Sequence, residues 1–294
     1  NVMDIKNLLK APNEAEGTLD YRAVIAELKS GRGVEAPDLT KAAKLELKEH
    51  DINNTLIRPD KKISIDKDVP AIGTKQITST DDTGVSEENV RFEKVARVAL
   101  ALQKLIVKRA VAFTFGNPIY LNAETGDNEE QKKVLKAVER VLYDVKQKSL
   151  NRKVARKLFS YTEVAELWYP VPRDHGAYGF DSKFKLRCAV FDPLVDRLYP
   201  YFDDSDDMIA FSREFTITRG KETKVYFETY TEDFHFMWDL SEGKYNLVEG
   251  YPKENVIKKI PVVFGRQEDV EWADVQNLID RLEKLLSNFA DTND

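Results

Sequence analysis

Apolar positions along this chain repeat with two different periods, and the change of period divides it. Up to about residue 160 the repeat is helical. Asp20 precedes Tyr21, Val24, Ile25 and Leu28, a 3.6-residue face stopped by Gly31 and Gly33. Pro37-Asp38 opens a second helix through Leu39, Ala42, Ala43, Leu45 and Leu47. Residues 51–84 carry turn signals (Asn53-Asn54, Arg58-Pro59, Val69-Pro70) and predict an extended arm with a short strand at Lys62–Ile65. Ser86, with Asn89 three residues on, predicts the N-cap of a long helix carrying Phe92, Val95, Ala96, Ala99, Leu102, Leu105, Ile106 and Ala110. Gly116-Asn117-Pro118 ends it. Ile119–Leu121 predicts a short strand, Glu129–Ser149 a further helix, and Arg152–Phe159 more helix.

From Tyr161 the repeat shortens. Ala165–Tyr169, Phe184–Phe191, Met208–Thr218, Lys224–Thr231 and Phe234–Leu240 are rich in aromatic and β-branched residues. Pro, Gly and Asp punctuate the turns between them. Strands that follow one another directly predict antiparallel hairpins in an α+β core, not βαβ units. After a short strand at Val262–Phe264, a helix is predicted from about Asp269 to the end. Its apolar stripe is Val275, Leu278, Ile279, Leu282, Leu285, Leu286 and Phe289. An isolated helix of this kind is marginal in water, so the stripe needs a partner. Two partners fit equally: the α+β core itself, or other helices packed beside it.

Composition then narrows the function classes. Of 294 residues, 33% are charged and 42% hydrophobic, which is too apolar for disorder. The formal net charge of −6 argues against a generally basic nucleic-acid binder. One cysteine, Cys188, excludes an internal disulfide framework and a cysteine zinc site, and three histidines make a His-rich metal centre improbable. No run approaches the roughly 20 apolar residues that span a bilayer, so no membrane partner is expected. The N-terminus lacks a signal-peptide pattern and does not begin with Met, which suggests a processed or partial chain.

No phosphate loop, dinucleotide fingerprint, GxSxG or HExxH occurs, so no catalytic residue, metal or cofactor is assigned. Asp233 and His235 share a strand face, but nothing supplies a nucleophile, and a structural histidine between aromatic neighbours is the favoured reading. Asp203, Asp204, Asp206 and Asp207 lack calcium-loop spacing and read as a solvated hairpin tip. The basic run is the more informative cluster. It contains Lys132, Lys133, Lys136, Arg140, Lys146, Lys148, Arg152, Lys153, Arg156 and Lys157. Lys132, Lys133, Lys153 and Arg156 are candidates for phosphate or subunit contact. A solvated helix face balanced by Glu129, Glu130, Glu139 and Asp144, or a subunit contact, explains the run slightly better than phosphate contact.

Four segments resemble the portal proteins of tailed bacteriophages, in the branch typified by Gram-positive siphophage portals. They are residues 109–120, with Phe115-Gly116-Asn117-Pro118; residues 160–169; residues 190–204, with Asp192-Pro193; and residues 259–291. The last joins an Ile260-Pro261-Val262-Val263 strand through an acidic stretch to the final helix, and it is the most telling. The resemblance covers roughly residues 90–294. Gly265-Arg266 stands where the family usually has Asn-Asn, and family members continue beyond the point where this chain ends.

The resemblance implies a portal wing-like α+β domain with N-terminal helices, an antiparallel sheet of hairpins and a C-terminal stem-like helix. Its parts would be an N-terminal helical segment and arm (1–84), a helical part of the wing (85–160), a β-rich part (161–265) and the start of a stem (266–294). It also implies a ring of about twelve copies at one capsid vertex, through which double-stranded DNA is packaged and ejected. Terminase, capsid and head-completion proteins would be partners, assembly would occur in the bacterial host cytoplasm, and no catalysis is expected. Gln276, Asn277, Asp280, Arg281 and Lys284 would face the channel or another subunit. A chain lacking most of the stem is expected to be mainly monomeric. The other readings are a nucleic-acid-binding or scaffolding module using residues 132–157 and, least supported, an enzyme.

Overall fold

The computed structural model describes residues 20–64, 75–76, 89–124, 126 and 128–293. It forms two compact units. One comprises Asn1–Leu39 and Lys108–Val270, the other Thr40–Val107 and Glu271–Asp294.

The first unit is built on a mixed set of helices and antiparallel strands. Helix α1 (Tyr21–Ser30) begins where Asp20 accepts hydrogen bonds from the backbone N–H of Arg22 and Ala23. It ends at Gly31, where any Cβ would lie 1.8 Å from the Tyr201 ring. The main sheet runs β10 (Lys244–Leu247), β9 (Phe234–Ser241), β8 (Glu222–Tyr230), β7 (Met208–Arg219), β6 (Arg197–Phe202), with β11 (Lys253–Glu254) also pairing β9. A second sheet has the order β12 (Val262–Arg266), β4 (Glu163–His175), β5 (Ser182–Phe191). Period-two alternation gives the main sheet two apolar faces. On one, Tyr201, Ala210, Phe227, Phe236 and Trp238 meet Val24, Ile25 and Leu28 of α1. On the other, Leu198, Phe211 and Tyr230 meet Ala165, Leu167 and Val262 of the second sheet. The core is therefore three layers deep, helix on sheet on sheet.

The α+β class and the antiparallel hairpins agree with the sequence reading, and most strand centres lie where the alternation placed them. β6, β10 and β11 were not foreseen. Beyond Leu167 the outer edge of β4 has no partner from β12. Trp168 points its N–H to that edge, toward Pro261 O at 2.8 Å, so Pro170 and Pro172 share the edge and remove two of its donors. This protects the edge from stray strand pairing.

Several predicted elements need correction. The predicted helix from Pro37-Asp38 to Leu47 shrinks to α2 (Leu39–Ala43) and a 3₁₀ turn at Leu47–Glu49. The long helix predicted from Ser86 starts only at Leu102, as α3 (Leu102–Thr114), and Ser86 lies outside the described residues. Asn89–Glu93 is instead β3, central in a sheet of order β1 (Lys61–Ser64), β3, β2 (Lys75–Gln76). Residues 94–101 have no regular structure because their backbone donors bond elsewhere, as described below. Ile119–Leu121 forms no strand, since none of the described residues pairs with it. The helix predicted to reach Ser149 stops earlier, as α4 (Glu129–Asp144). Left-handed Lys146 (φ 55) turns the chain into α5 (Gln147–Tyr161).

In the second unit the described core is small. Ala42, Ile52, Val107, Trp272 and Ile279 are buried there, together with His50, Gln103, Glu283 and Ser287. Its main element is α6 (Gln276–Asn293), entered through a 3₁₀ turn at Ala273–Val275.

Candidate functional site

Helix α6 buries a polar face. Ala96, Val98 and Leu100 donate their backbone N–H groups to Asp291 Oδ1 (2.6 Å), Ser287 Oγ (2.9 Å) and Glu283 Oε1 (2.8 Å). The match is geometric. Alternate N–H groups of an extended chain lie about 6.6 Å apart, and four helical residues rise about 6 Å. The segment therefore runs antiparallel to α6 as a strap, and its backbone bonds to side chains that a helical segment could not reach. This ladder is what displaces the predicted helix.

Both ends of the ladder are fastened. At one end, His50 Nδ1 lies 2.7 Å from Glu283 Oε1, and Nε2 donates to Lys44 O at 2.7 Å. At the other, Arg58 donates to Asp291 Oδ2 (2.5 Å), Asn288 Oδ1 (2.7 Å) and Ala96 O (2.9 Å). Arg97 donates in turn to Arg58 O and Asp60 Oδ1. His50 and Glu283 are fully enclosed, so losing either partner would strand a buried polar group.

The apolar stripe of α6 points the other way. Only Ile279 is buried and Val275 is half-buried. Leu278, Leu285 and Phe289 are 63%, 66% and 67% exposed, and Leu282 and Leu286 are also exposed. Within the second unit, none of the described residues covers these five side chains. Of the five polar candidates, Asn277, Arg281 and Lys284 are exposed, whereas Gln276 and Asp280 are half-buried. Gln276 accepts from Gln103 (3.2 Å) and donates to Asp280 (2.8 Å). The residues that hold the ladder were missed in the sequence. Their signal was there: Glu283, Ser287 and Asp291 repeat every four residues beside the apolar stripe.

The basic candidates lie in the first unit on two helices. Lys132 and Lys133 are on α4, and Lys132 pairs with Glu129 at 2.9 Å. Lys153 and Arg156 are exposed on α5, whose Lys157 is instead bound to Asp192 at 2.9 Å. The four are therefore not gathered on one helix face.

The remaining polar clusters are structural. His235 stacks on Tyr230 (4.1 Å between ring centres), meets the edge of Tyr251 and lies 3.2 Å from Glu228 Oε2. Arg213 donates to Glu228 Oε1 (2.7 Å) and Asp196 Oδ2 (3.3 Å), held between the rings of Phe191 and Phe215. Burial alone would raise the Glu228 carboxyl, but the hydrogen bond with His235 and the Arg213 charge outweigh it and hold it below the usual range. Burial pushes the Tyr230 hydroxyl up. The Cys188 thiol is pushed up to about 12 by burial and by Glu166, which disfavours its thiolate. Asp203 closes its turn by accepting from Ser205 and Asp207 N–H. Among the described residues, no group of three or more His, Cys, Asp or Glu is placed to hold a metal ion, and no helix is long and apolar enough to cross a membrane.

The first unit is an α+β body, and the second carries a helix whose apolar stripe is exposed. Residues 32–294 match the family described as "Phage portal protein, SPP1 Gp6-like". The chain belongs to this family of phage structural proteins. No curated protein matches it.

Proposed function

We propose that this chain is the subunit of a ring of about twelve copies that forms the portal vertex of a phage or prophage capsid. Double-stranded DNA passes through the ring during packaging and ejection. The subunit does no chemistry itself. A separate terminase supplies the packaging ATPase, and capsid and head-completion proteins are the other partners. Assembly takes place in the bacterial host cytoplasm. In this reading residues 266–294 begin the stem, 85–160 and 161–265 make the helical and β-rich parts of the wing, and 1–84 is the N-terminal segment.

One observation carries the proposal beyond family membership. α6 is fastened along its polar face by the strap at residues 96–100, and it presents five exposed apolar side chains on the other. A stripe of this kind on a fixed helix is suited to burial against neighbouring copies. Asn277, Arg281 and Lys284 lie on the polar arc between the strap and the stripe, and we assign them to the channel side. Gln276 and Asp280 keep the inner corner of the helix bonded.

Negative-stain electron microscopy of the complete gene product tests the reading. Closed rings of about twelve subunits are expected. A strictly monomeric product would overturn it.

A further inference from the structure

Helix α4 is divided lengthwise. Lys133, Lys136 and Arg140, at spacings of three and four, lie on one face, and Val134, Val138 and Val141 lie on another. The three basic residues are exposed, and none has an ion-pair partner among the described residues. They span about 10 Å of helix. The surrounding charge is concentrated. Residues 129–157 hold ten Lys or Arg and four Asp or Glu, a surplus of six positive charges in a chain whose net charge is −6. Arg140 is also positioned from outside the helix. Gly179, with φ +92, brings its backbone so close that a Cβ would lie 1.9 Å from Arg140 Nη1. The glycine leaves the guanidinium its place against the turn.

We propose that the Lys133–Lys136–Arg140 face of α4 binds the phosphate backbone of duplex DNA without reading its sequence. The ligand class follows from what the face contains and lacks. A protein partner would need an apolar or aromatic centre to bury, but the valines of α4 lie on the other side. The exposed rings nearby, Tyr120, Tyr143 and Phe180, gather at the Arg140 end of the face, whereas binding of single strands uses rings spaced along the groove to stack successive bases. Lysines are point charges on flexible stems, suited to phosphate contact and not to base readout. The choice of DNA among polyanions rests on the portal reading. The charge argument does not, and this site is separate from the α6 face assigned to the channel.

The test is fluorescence polarisation of a short labelled duplex with the chain itself, across a salt series. The logarithm of the affinity should fall linearly with the logarithm of salt concentration. The triple variant Lys133→Gln, Lys136→Gln, Arg140→Gln should bind more weakly, with the slope reduced by about 2.7, or roughly 0.9 for each lost phosphate contact. Lys133→Gln alone should reduce it by about 0.9. Lys153→Gln with Arg156→Gln, on α5, should leave it unchanged. Equal slopes for the wild type and the triple variant would overturn the proposal. So would an equal loss from the α5 pair, which would make the charge diffuse. Displacement by polyglutamate at lower concentration than by unlabelled duplex of matched charge would overturn it in favour of an acidic protein partner. None of these outcomes bears on ring formation, which microscopy reads separately.

Discussion

Two amphipathic helices of this protein do opposite things. α1 turns Val24, Ile25 and Leu28 inward, where each is at most 3% exposed, against the aromatic face of the main sheet. α6 turns its leucines outward and buries Glu283 and Ser287 instead. Both stripes look alike in the sequence. What separates them is the partner available within the chain. α1 meets a sheet whose backbone groups are already paired, so its buried face meets apolar side chains and no free backbone donors. α6 meets a strap whose alternate N–H groups are unpaired, and a buried N–H without an acceptor is costly. The polar face of α6 satisfies those donors, and the apolar face is left exposed among the described residues. Amphipathicity thus marks two faces without saying which one the chain itself will use.

The contrast can be tested from its largest consequence down. Leu28→Ala empties a fully buried position and should destabilise the protein by about 2–5 kcal/mol in thermal or denaturant unfolding. A loss below about 1 kcal/mol would mean that α1 is not a core helix. Glu283→Ala should cost roughly 1–3 kcal/mol, because Leu100 N–H and His50 lose their partner. It should also raise hydrogen exchange at Ala96, Val98 and Leu100, and unchanged exchange there would break the ladder argument. On the outer face of α6, Leu285→Ala should change the stability of the chain by no more than about 0.5 kcal/mol.

Acid stability probes the sheet side of the comparison. The carboxyl of Glu228 lies below its usual value of 4.5 when folded, so the unfolded chain takes up its proton first as pH falls. The stability it contributes is present above 4.5 and is lost as pH drops through the lowered folded value. Unfolding free energy measured against pH should therefore fall less steeply below 4.5 in Glu228→Gln than in the wild type. Parallel curves would remove Glu228 from the acid response.

Much of the first unit was legible in the sequence because its signals are local. Asp20 and Gly31 bound α1, and alternation gave most of the strands. β6 was hidden because Pro200 breaks its pattern at the edge of the sheet, where a proline is tolerated. The second unit was less legible because its determinants are distant. Val95, Ala96 and Ala99 have helical spacing, yet their segment is claimed by side chains almost 200 positions later. No local window contains that information. The candidate helix α6 and its stripe were found by periodicity. The ladder on its other face was overlooked because Glu, Ser and Asp on a surface helix ordinarily face solvent. The basic run was found as composition, but only the helix geometry sorts it into the α4 face and the separate α5 residues.

On the proposed function, the outer stripe of α6 is an assembly surface and not part of the fold. Light scattering and negative-stain imaging of the complete gene product carrying Leu285→Ser and Phe289→Ser, with its melting temperature measured alongside, test this most directly. A folded protein with a near-unchanged melting temperature and no rings is expected. Rings that persist undiminished in the double variant would contradict it.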